Sequence, residues 1–411
     1  MNLLEINISV KTINKVIFLS IVSLINPLFA IIFCFVFVYN EKNNDALIYF
    51  LYALIALYLG LINSTKVPVS DLLNYKDFYD DASMMSFGNY IFILGKATIF
   101  FVMSFILNKA FFGNFDLYII FLTFLMYFLV FISIHKYWRN QENRFHILFF
   151  AVLIFGLFHP LFGYSSHLIR QILAGSLFIL FIINKDIKGQ YPWIIAIFAV
   201  LIHASAGILF LISFLPGIQK RLNLKRTIIL TLSIFTLVYF GNELLVFFYR
   251  VTSGIPIFRT VFHRLINLQP FSDQRDFVVK GSMLFRRGIP FFLLITMLFV
   301  YFKKDIKDNS YHIINVFIIF YIFLESLYNL GFLFFHLRLT AYVYLFIPFL
   351  IPHIFASVKS KKGVVSIKIV ESVIVFLMII NFYSYLNRSN WEYDSIVKLI
   401  LQPTFLYFVR M

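Results

Sequence analysis

The sequence predicts an all-α integral membrane protein, a single polytopic domain over residues 1–411 with about eleven or twelve transmembrane helices. Hydrophobic residues make up 61% of the chain and charged residues only 13%, which is more apolar surface than a soluble core needs. The apolar residues form successive runs of about 20 residues, the length of a helix that crosses a bilayer. The 56 Phe and 24 Tyr suit helices packed in lipid, with Tyr favoured at headgroup depth.

The net charge of +16 comes from basic residues in the breaks between the apolar runs. This placement favours contact with anionic lipid headgroups or an anionic lipid-linked substrate, and nucleic acid is not predicted as a partner. The single cysteine, Cys34, lies inside an apolar run, so no disulfide is expected to hold the outer loops. No cleaved signal peptide is expected, because no short apolar region followed by a cleavage site opens the sequence.

Successive apolar runs predict the spans in order. Val16–Tyr39 is the first, with a kink at Asn26-Pro27, and Leu47–Ile62 is the second. Further spans are predicted at Phe115–His135, Phe145–Phe162, Leu168–Asn184, Thr227–Phe248, Ile289–Phe302, Tyr311–Leu330 and Leu339–Ile354, with a last span that ends near Tyr385. The C-terminal tail, residues 386–411, has the composition of an interfacial helix.

The first long outer loop covers residues 63–114. Its first half carries aromatic residues and four carboxylates, at Asp71, Asp77, Asp80 and Asp81. Such a mixture is typical of a sugar-facing surface, where rings stack and carboxylates accept hydroxyl hydrogen bonds, but an ordinary solvated acidic loop fits equally well. The second half, Tyr90–Phe112, is predicted to be an amphipathic helix that is interfacial or re-entrant.

Arg170 lies at the mouth of an apolar helix, with no acidic residue nearby in sequence. His167, Gln171 and Ala174 are spaced to share its helix face. An ionisable group in membrane-type sequence is costly and usually faces a cavity or a partner. The structural alternative for Arg170 is an anchor that extends its charge to the membrane interface.

Residues 191–216 form an apolar run that His203 and Ser205 interrupt near its middle. The run predicts either one long span or a broken, re-entrant pair of half-length helices, and the loop totals of Lys and Arg fit both topologies. The later loop 249–287 is rich in Arg, the residue suited to bidentate phosphate contacts. We therefore predict the re-entrant pair, which places this loop outside. For His203, a hydrogen-bonded structural role is the alternative.

Several kinds of chemistry have no motif in the sequence. There is no phosphate-binding P-loop, no dinucleotide fingerprint and no nucleophile elbow. The nine His and the single Cys lack metal-ligand spacing. The carboxylates of Asp77, Asp80 and Asp81 give only a weak pattern for a divalent cation. We therefore predict neither a cofactor nor a metal site.

The segment LIRQILAGSLFILFI and the later LIHASAGILFLISF resemble the EpsG-like branch of the Wzy-type polysaccharide polymerases. The family pattern is an Arg-Gln pair with Ala three residues after it, then a His with a small-residue cluster. The matching positions here are Arg170, Gln171, Ala174, His203 and Ser205.

Two further segments add to the resemblance. SDLLNYKDFYDD matches the family's Asp followed four residues later by Tyr, here Asp71 and Tyr75, and HLRLTAYVYLFIP matches a late segment with Arg338. In two places the sequence departs from the pattern. Lys66 stands where the family often has an Arg before the first Asp, and Ser86-Phe87-Gly88 replaces a Glu-Pro-Gly-like turn.

The resemblance implies an enzyme of O-antigen, lipopolysaccharide, capsule or exopolysaccharide biosynthesis. Such a glycosyltransferase joins oligosaccharide repeat units carried on undecaprenyl pyrophosphate, at the outer face of the bacterial inner membrane. The growing glycan on the lipid is the donor and a single lipid-linked unit is the acceptor. A flippase and a chain-length regulator are further expected partners.

That chemistry needs fixed cations for a diphosphate leaving group and a group that orients the acceptor hydroxyl or takes its proton. The predicted catalytic residues are Arg170, His203 and Asp71. The predicted substrate-binding residues are Gln171, His167, Ser205, Tyr75, Asp77, Arg250, Arg259, Arg264 and Arg338.

Other membrane functions remain open from the residues alone. A flippase or exporter of lipid-linked oligosaccharide would also place Arg in a membrane cavity, although transporters usually show duplicated halves, which this sequence lacks. An O-acetyltransferase, or a ligase that moves glycan to lipid A, is opposed only by the family resemblance.

Overall fold

The computed structural model describes residues 9–42, 44–94, 99–139, 144–189, 191–251, 288, 291–298, 301, 311–329, 332–358, 364–393 and 395–404. Across this part of the chain the regular elements are α-helices. One isolated β-bridge pairs Lys66 with Trp391. The chain divides into two compact units. Unit 1 comprises residues 1–206 and 361–411, and unit 2 comprises residues 207–360.

Unit 1 contains thirteen of the helices with described bounds. They are α1 (Val10–Ile25), α2 (Pro27–Asn40), α3 (Asp45–Ser64), α4 (Asp71–Met84), α5 (Phe87–Leu94), α6 (Ile99–Ala110), α7 (Phe115–Trp138), α8 (Arg144–Leu157), α9 (His159–His167), α10 (Ile169–Lys188), α11 (Trp193–Ile202), α17 (Val364–Arg388) and α18 (Ile396–Leu401). Helix α12 (Ala206–Ser213) begins at the boundary between the units.

Unit 2 is built around a pair of long apolar helices. Its helices are α13 (Leu224–Tyr239), α14 (Gly241–Val251), α15 (Tyr311–Asn329) and α16 (Leu333–Val358). Helix α15 is deeply buried, and its Asn315 donates side-chain hydrogen bonds to the carbonyls of Ile218 (2.6 Å) and Lys220 (2.9 Å). This buried amide fixes the segment before α13 against α15.

The polytopic all-α membrane class is confirmed. Among the described residues, five helices are long and apolar enough to cross a membrane: α3, α7, α15, residues Phe335–Ile354 of α16 and residues Lys368–Arg388 of α17. Helices α8 and α9 are long and apolar enough only as a pair, which is bent by 54° and is either a broken sixth span or a re-entrant segment. Other apolar helices are shorter, so the count of eleven or twelve crossings stays a prediction.

The antiparallel pair α3 and α7 forms the core of unit 1. The helices approach closely at Gly60, where a Cβ atom would lie 2.8 Å from the carbonyl oxygen of Ile120, so a larger side chain would force them apart. At one end of the pair Asp45 contacts Arg139, and at the other Asn63 donates hydrogen bonds to Thr123 and Ser165. We call these the Asp45 end and the Lys66 end of unit 1.

The prediction of a single kinked span over Val16–Tyr39 is wrong, because α1 and α2 form a hairpin. Asn26 ends α1, and its side chain caps α2 by accepting hydrogen bonds from the N–H groups of Leu28 and Phe29. Pro27 then occupies the first position of α2, where its missing N–H costs nothing. An ion pair of 2.5 Å between Lys15 of α1 and Glu41, the residue after α2, connects the two helices away from the turn.

The predicted break within residues 191–216 is confirmed, since α11 ends at Ile202 and α12 starts at Ala206. The ten residues of α11 extend about 15 Å, half of the hydrocarbon thickness. Whether the chain turns back at this point stays a prediction, as does the sidedness of loop 249–287. Most of that loop lies outside the described residues.

The described part of the C-terminal tail packs on unit 1. Tyr58 donates a hydrogen bond to the carbonyl of Ile400 at 3.1 Å, and Asn26 donates one to the carbonyl of Gln402 at 3.5 Å. The tail therefore contacts α3 and the tip of the α1–α2 hairpin. Its interfacial depth stays a prediction.

Candidate functional site

A break at Leu168 places Arg170 in the first turn of a new helix. Helix α9 ends at His167 and α10 begins at Ile169. The hydroxyls of Ser165 and Ser166 donate back to carbonyls of their own turn, a local interaction that competes with helix continuation. The prediction that His167 shares one continuous helix face with Arg170 is therefore wrong, whereas Gln171 and Ala174 do follow Arg170 on α10.

Arg170 is surrounded by aromatic rings. Its Cζ atom lies 5.9 Å from the ring centre of Tyr75, 5.8 Å from that of Phe100 and 5.5 Å from that of Phe101. These distances are those of cation–π contacts. The Nε atom is buried, and among the described residues it has no hydrogen-bond acceptor. Ring faces therefore orient the guanidinium group, and its Nε–H has no acceptor among the described residues.

Helix α4 carries Tyr75 and Asp71, one turn apart. The stretch that we predicted to be an acidic loop is this helix, because Leu72, Tyr75, Tyr79 and Ala82 form a buried stripe along it. Asn108 donates a hydrogen bond to the carbonyl of Tyr79 at 2.8 Å, which attaches α4 to α6. The ring of Tyr75 therefore has a fixed position against Arg170.

The chain enters α4 through strained backbone. Ser70 has a φ of 54°, in a region that residues with a side chain rarely adopt. It immediately precedes Asp71, the first residue of α4. An unfavourable backbone conformation persists only where the surrounding contacts enforce it, and such residues are common at functional positions.

Lys66 is a buried cation beside this helix that the predicted set of site residues omitted. It is 7% exposed, and its Nζ donates hydrogen bonds to Ser166 (3.0 Å) and to the hydroxyl of Tyr385 (2.9 Å). Burial lowers the pKa of its ammonium group to about 8. The available sequence signal was a basic residue directly between an apolar span and Asp71.

These groups converge near the α9–α10 break. His167 lies within electrostatic range of both Lys66 and Asp71, and Arg170 follows it by three residues. We define the α9–α10 site as Lys66, Asp71, Tyr75, His167 and Arg170. Gln171, next to Arg170, is 2% exposed and packs inside unit 1.

His203 and Ser205 form a pair in the break between α11 and α12. The Oγ of Ser205 lies 2.6 Å from Nδ1 of His203, and the backbone N–H of Ser205 donates to the same nitrogen at 3.3 Å. Because Nδ1 accepts, the neutral ring carries its proton on Nε2. Helix α11 follows α10 as its antiparallel neighbour, so His203 lies on the order of 10 Å along the axis from Arg170.

Of the other predicted binding residues, one lies on α4, two belong to unit 2 and two lie outside the described residues. Asp77 is exposed on the face of α4 opposite Tyr75. Arg250 is exposed at the end of α14, and Arg338 is half-buried in α16, both in unit 2. Arg259 and Arg264 lie outside the described residues. The roles of these five residues stay predictions.

The acidic residues of α4 do not gather around one point. Lys76 pairs with Asp80 at 2.9 Å, and Asp77 projects to the exposed side of the helix. Within the described ranges, no three His, Cys, Asp or Glu side chains are grouped as metal ligands would be.

The sequence model of the EpsG family matches residues 49–399. This range runs from the first turns of α3 to α18 and includes every residue of the α9–α10 site. Among curated proteins and solved structures, none matches the chain. A match over most of the chain settles its family. The chain belongs to the EpsG family, and this membership indicates a polysaccharide-polymerase-like function in a membrane.

Proposed function

We propose that the protein is a Wzy-type glycosyltransferase that joins oligosaccharide repeat units carried on undecaprenyl pyrophosphate. The proposal rests on the surroundings of the Arg170 side chain. Its guanidinium lies among three aromatic rings with a buried Nε that has no acceptor in the described part of the chain. A planar guanidinium group whose Nε–H has no acceptor in the protein there suits hydrogen bonds to a phosphate group of the lipid carrier.

The reaction transfers a glycan from the donor diphosphate to a hydroxyl of the acceptor unit. The new bond joins the acceptor oxygen to the anomeric carbon, while the bond from that carbon to the phosphate oxygen breaks. Negative charge therefore accumulates on the leaving diphosphate. Arg170, already oriented by Tyr75, Phe100 and Phe101, stabilises that charge without reorganisation.

The proton of the acceptor hydroxyl needs a base. Asp71 has this role in the proposal, because its carboxylate starts α4 one turn from Tyr75 and lies near His167. The Nδ1 of His203 already accepts from Ser205, so its protonated Nε2 suits a donor to substrate oxygen better than a base.

The proposed site faces the outside of the cell. At the Asp45 end of unit 1, the short connections and helix ends carry Lys42, Lys136, Arg139 and Lys185, whereas the Lys66 end carries the acidic helix α4. Short cytoplasmic loops are enriched in Lys and Arg. This distribution supports a cytoplasmic Asp45 end and an extracytoplasmic α9–α10 site, in the inner membrane.

Cysteine labelling tests this orientation. Met84, at the end of α4, is 86% exposed, and Lys42, at the Asp45 end, is also exposed. We expect Met84→Cys to react with an impermeant thiol reagent in intact cells and Lys42→Cys to react only after permeabilisation. Native Cys34 is 0% exposed and gives a silent background. The reverse pattern would place the site in the cytoplasm and refute the proposed orientation.

The decisive experiment on activity is the glycan ladder of a deletion strain, followed by reconstitution. Loss of the polymerase should leave a single repeat unit on its acceptor, whereas loss of a flippase would leave none. The purified protein should elongate lipid-linked repeat units, without nucleotide sugar and also in the presence of EDTA. A strain without any attached unit would refute the polymerase, and activity abolished by EDTA would refute metal independence.

A further inference from the structure

Lys66 is a buried ammonium group without a counterion in the described part of the chain. Two of its three N–H groups donate to the hydroxyls of Ser166 and Tyr385. No carboxylate among the described residues lies within 4.0 Å of Nζ, and the third N–H has no acceptor there. Lys66 is 7% exposed, so bulk water does not compensate its charge.

A buried and unpaired charge is costly. The rings of Tyr385 and Trp391 offset part of this cost, because their centres lie 5.6 and 5.9 Å from Nζ. Arg170 has the same kind of surroundings, with ring faces around the cation and no carboxylate of the described residues within 4.0 Å. Both cations are therefore held by aromatic rings, and neither has an anionic partner in the described part of the chain.

Both cations approach the α9–α10 break. Ser166, the acceptor of Lys66, lies two residues before the break, and Arg170 lies two residues after it. His167 lies between them in sequence and within electrostatic range of Lys66. Lys66 is therefore hydrogen-bonded to the short segment that carries Arg170.

We propose that Lys66 and Arg170 bind one diphosphate group of the lipid-linked substrate together, Lys66 as a point charge and Arg170 as a planar fork. This inference rests on the proposed function and adds Lys66 to its substrate-binding residues. The competing explanation is mechanical. In that case the two hydrogen bonds of Nζ only fasten α9 and α17 to the segment after α3.

The experiment measures binding of farnesyl diphosphate to the purified full-length protein by titration calorimetry, with farnesol as the uncharged comparison. Loss of one charge-assisted hydrogen bond should weaken diphosphate binding by about ten- to a hundredfold in Lys66→Met, with farnesol binding unchanged. Lys185→Met is the matched control. Lys185 is 5% exposed, lies over the ring of Tyr191 and is at the opposite end of α10, so diphosphate affinity should persist. Wild-type affinity in Lys66→Met would overturn the inference and leave the mechanical explanation.

The wild-type protein provides a second measurement if Lys66→Met does not fold. Its affinity for farnesyl diphosphate should fall about tenfold between pH 7 and pH 9, as Lys66 loses its proton. A constant affinity over this range would overturn the inference. Failure of the proposed function gives a different pattern, in which diphosphate binding depends on Lys66 but the deletion strain keeps its full glycan ladder.

Discussion

Both ends of unit 1 carry cations, but among the described residues of this unit the ion pairs between different helices lie at the Asp45 end, whereas the pair of Lys76 with Asp80 lies within α4. There Arg139 pairs with Asp45 at 3.0 Å, and Lys15 pairs with Glu41 at 2.5 Å. His146 also contacts Glu371 from the neighbouring α17. Each of these three pairs joins two separate helices or the residues that flank them.

At the Lys66 end, the two cations of the α9–α10 site contact hydroxyls and ring faces instead. Neither Lys66 nor Arg170 has a carboxylate within 4.0 Å among the described residues. A buried charge without a counterion stabilises the fold less than a buried ion pair does. In the proposed function, the paired cations of the Asp45 end stabilise the fold, whereas Lys66 and Arg170 bind a ligand.

The largest effect should follow from changing Arg170. Arg170→Lys keeps the charge but loses the planar fork, which Lys does not replace at a bidentate site. We expect turnover on lipid-linked repeat units to fall on the order of a hundredfold or more, by analogy with other preorganised charge contacts. The glycan ladder should collapse to a single unit at a normal protein level. Arg139→Lys, at the Asp45 end, should keep a full ladder.

A full-length ladder from Arg170→Lys would contradict this assignment. It would mean that charge alone suffices, as for an anchor at the membrane interface. The contrast between the two ends would then lose its functional meaning.

A smaller effect should appear in the pH dependence of the wild-type protein. The pKa of Lys66 is lowered to about 8 by burial, so its cationic form disappears as the pH rises through that value. We expect kcat/KM to fall about tenfold between pH 7 and pH 9. Stability should change in the opposite direction. The unfolded state binds more protons over this range, so folding becomes more favourable as the pH rises.

Other titratable groups do not obscure this window. Those facing Lys66 are His167 from α9, Tyr385 from α17 and, next to His167, Asp71 from α4. Carboxylates and histidines ordinarily titrate below pH 7 and tyrosine above pH 9. Lys66→Arg keeps its charge throughout, so a flat profile in that variant identifies the titrating group. An unchanged profile in Lys66→Arg would assign the pH effect to another residue.

The sequence was sufficient for the membrane class, and it singled out Arg170 as a candidate site residue. Long apolar runs determine which segments become helices, and a lone Arg in such a run is conspicuous because its cost requires a reason. Lys66 offered no comparable signal. It enters the site because residues 65–67 pair with residues 390–392, with Glu392 donating to the carbonyl of Thr65 at 2.9 Å. No local pattern reveals a contact between segments so distant in the chain.

Local rules also failed where two short helices replaced one long helix. The run Val16–Tyr39 has the length and hydropathy of a span, yet Asn26 caps a new helix there and the chain turns back. At Leu168 the serines before the break interrupt a helix that the spacing of His167 and Arg170 predicted to be continuous. In both places side-chain hydrogen bonds to the backbone outweighed the apolar pattern.

The smallest effect should come from the Asp45 end itself. Arg139 is 41% exposed in its pair with Asp45, and an exposed ion pair contributes only about 0.2–1 kcal/mol. We expect Arg139→Gln to lower the melting temperature slightly in a thermal-shift assay and to leave turnover and ladder length unchanged, since His135 still lies 3.7 Å from Asp45. The same assays on Arg170→Gln should show the converse, a collapsed ladder with little loss of stability, because that guanidinium has no ion pair with a carboxylate of the described residues to lose. A collapsed ladder in Arg139→Gln at normal protein level would show that the paired end also acts in turnover, and the division between structural and ligand-binding cations would fail.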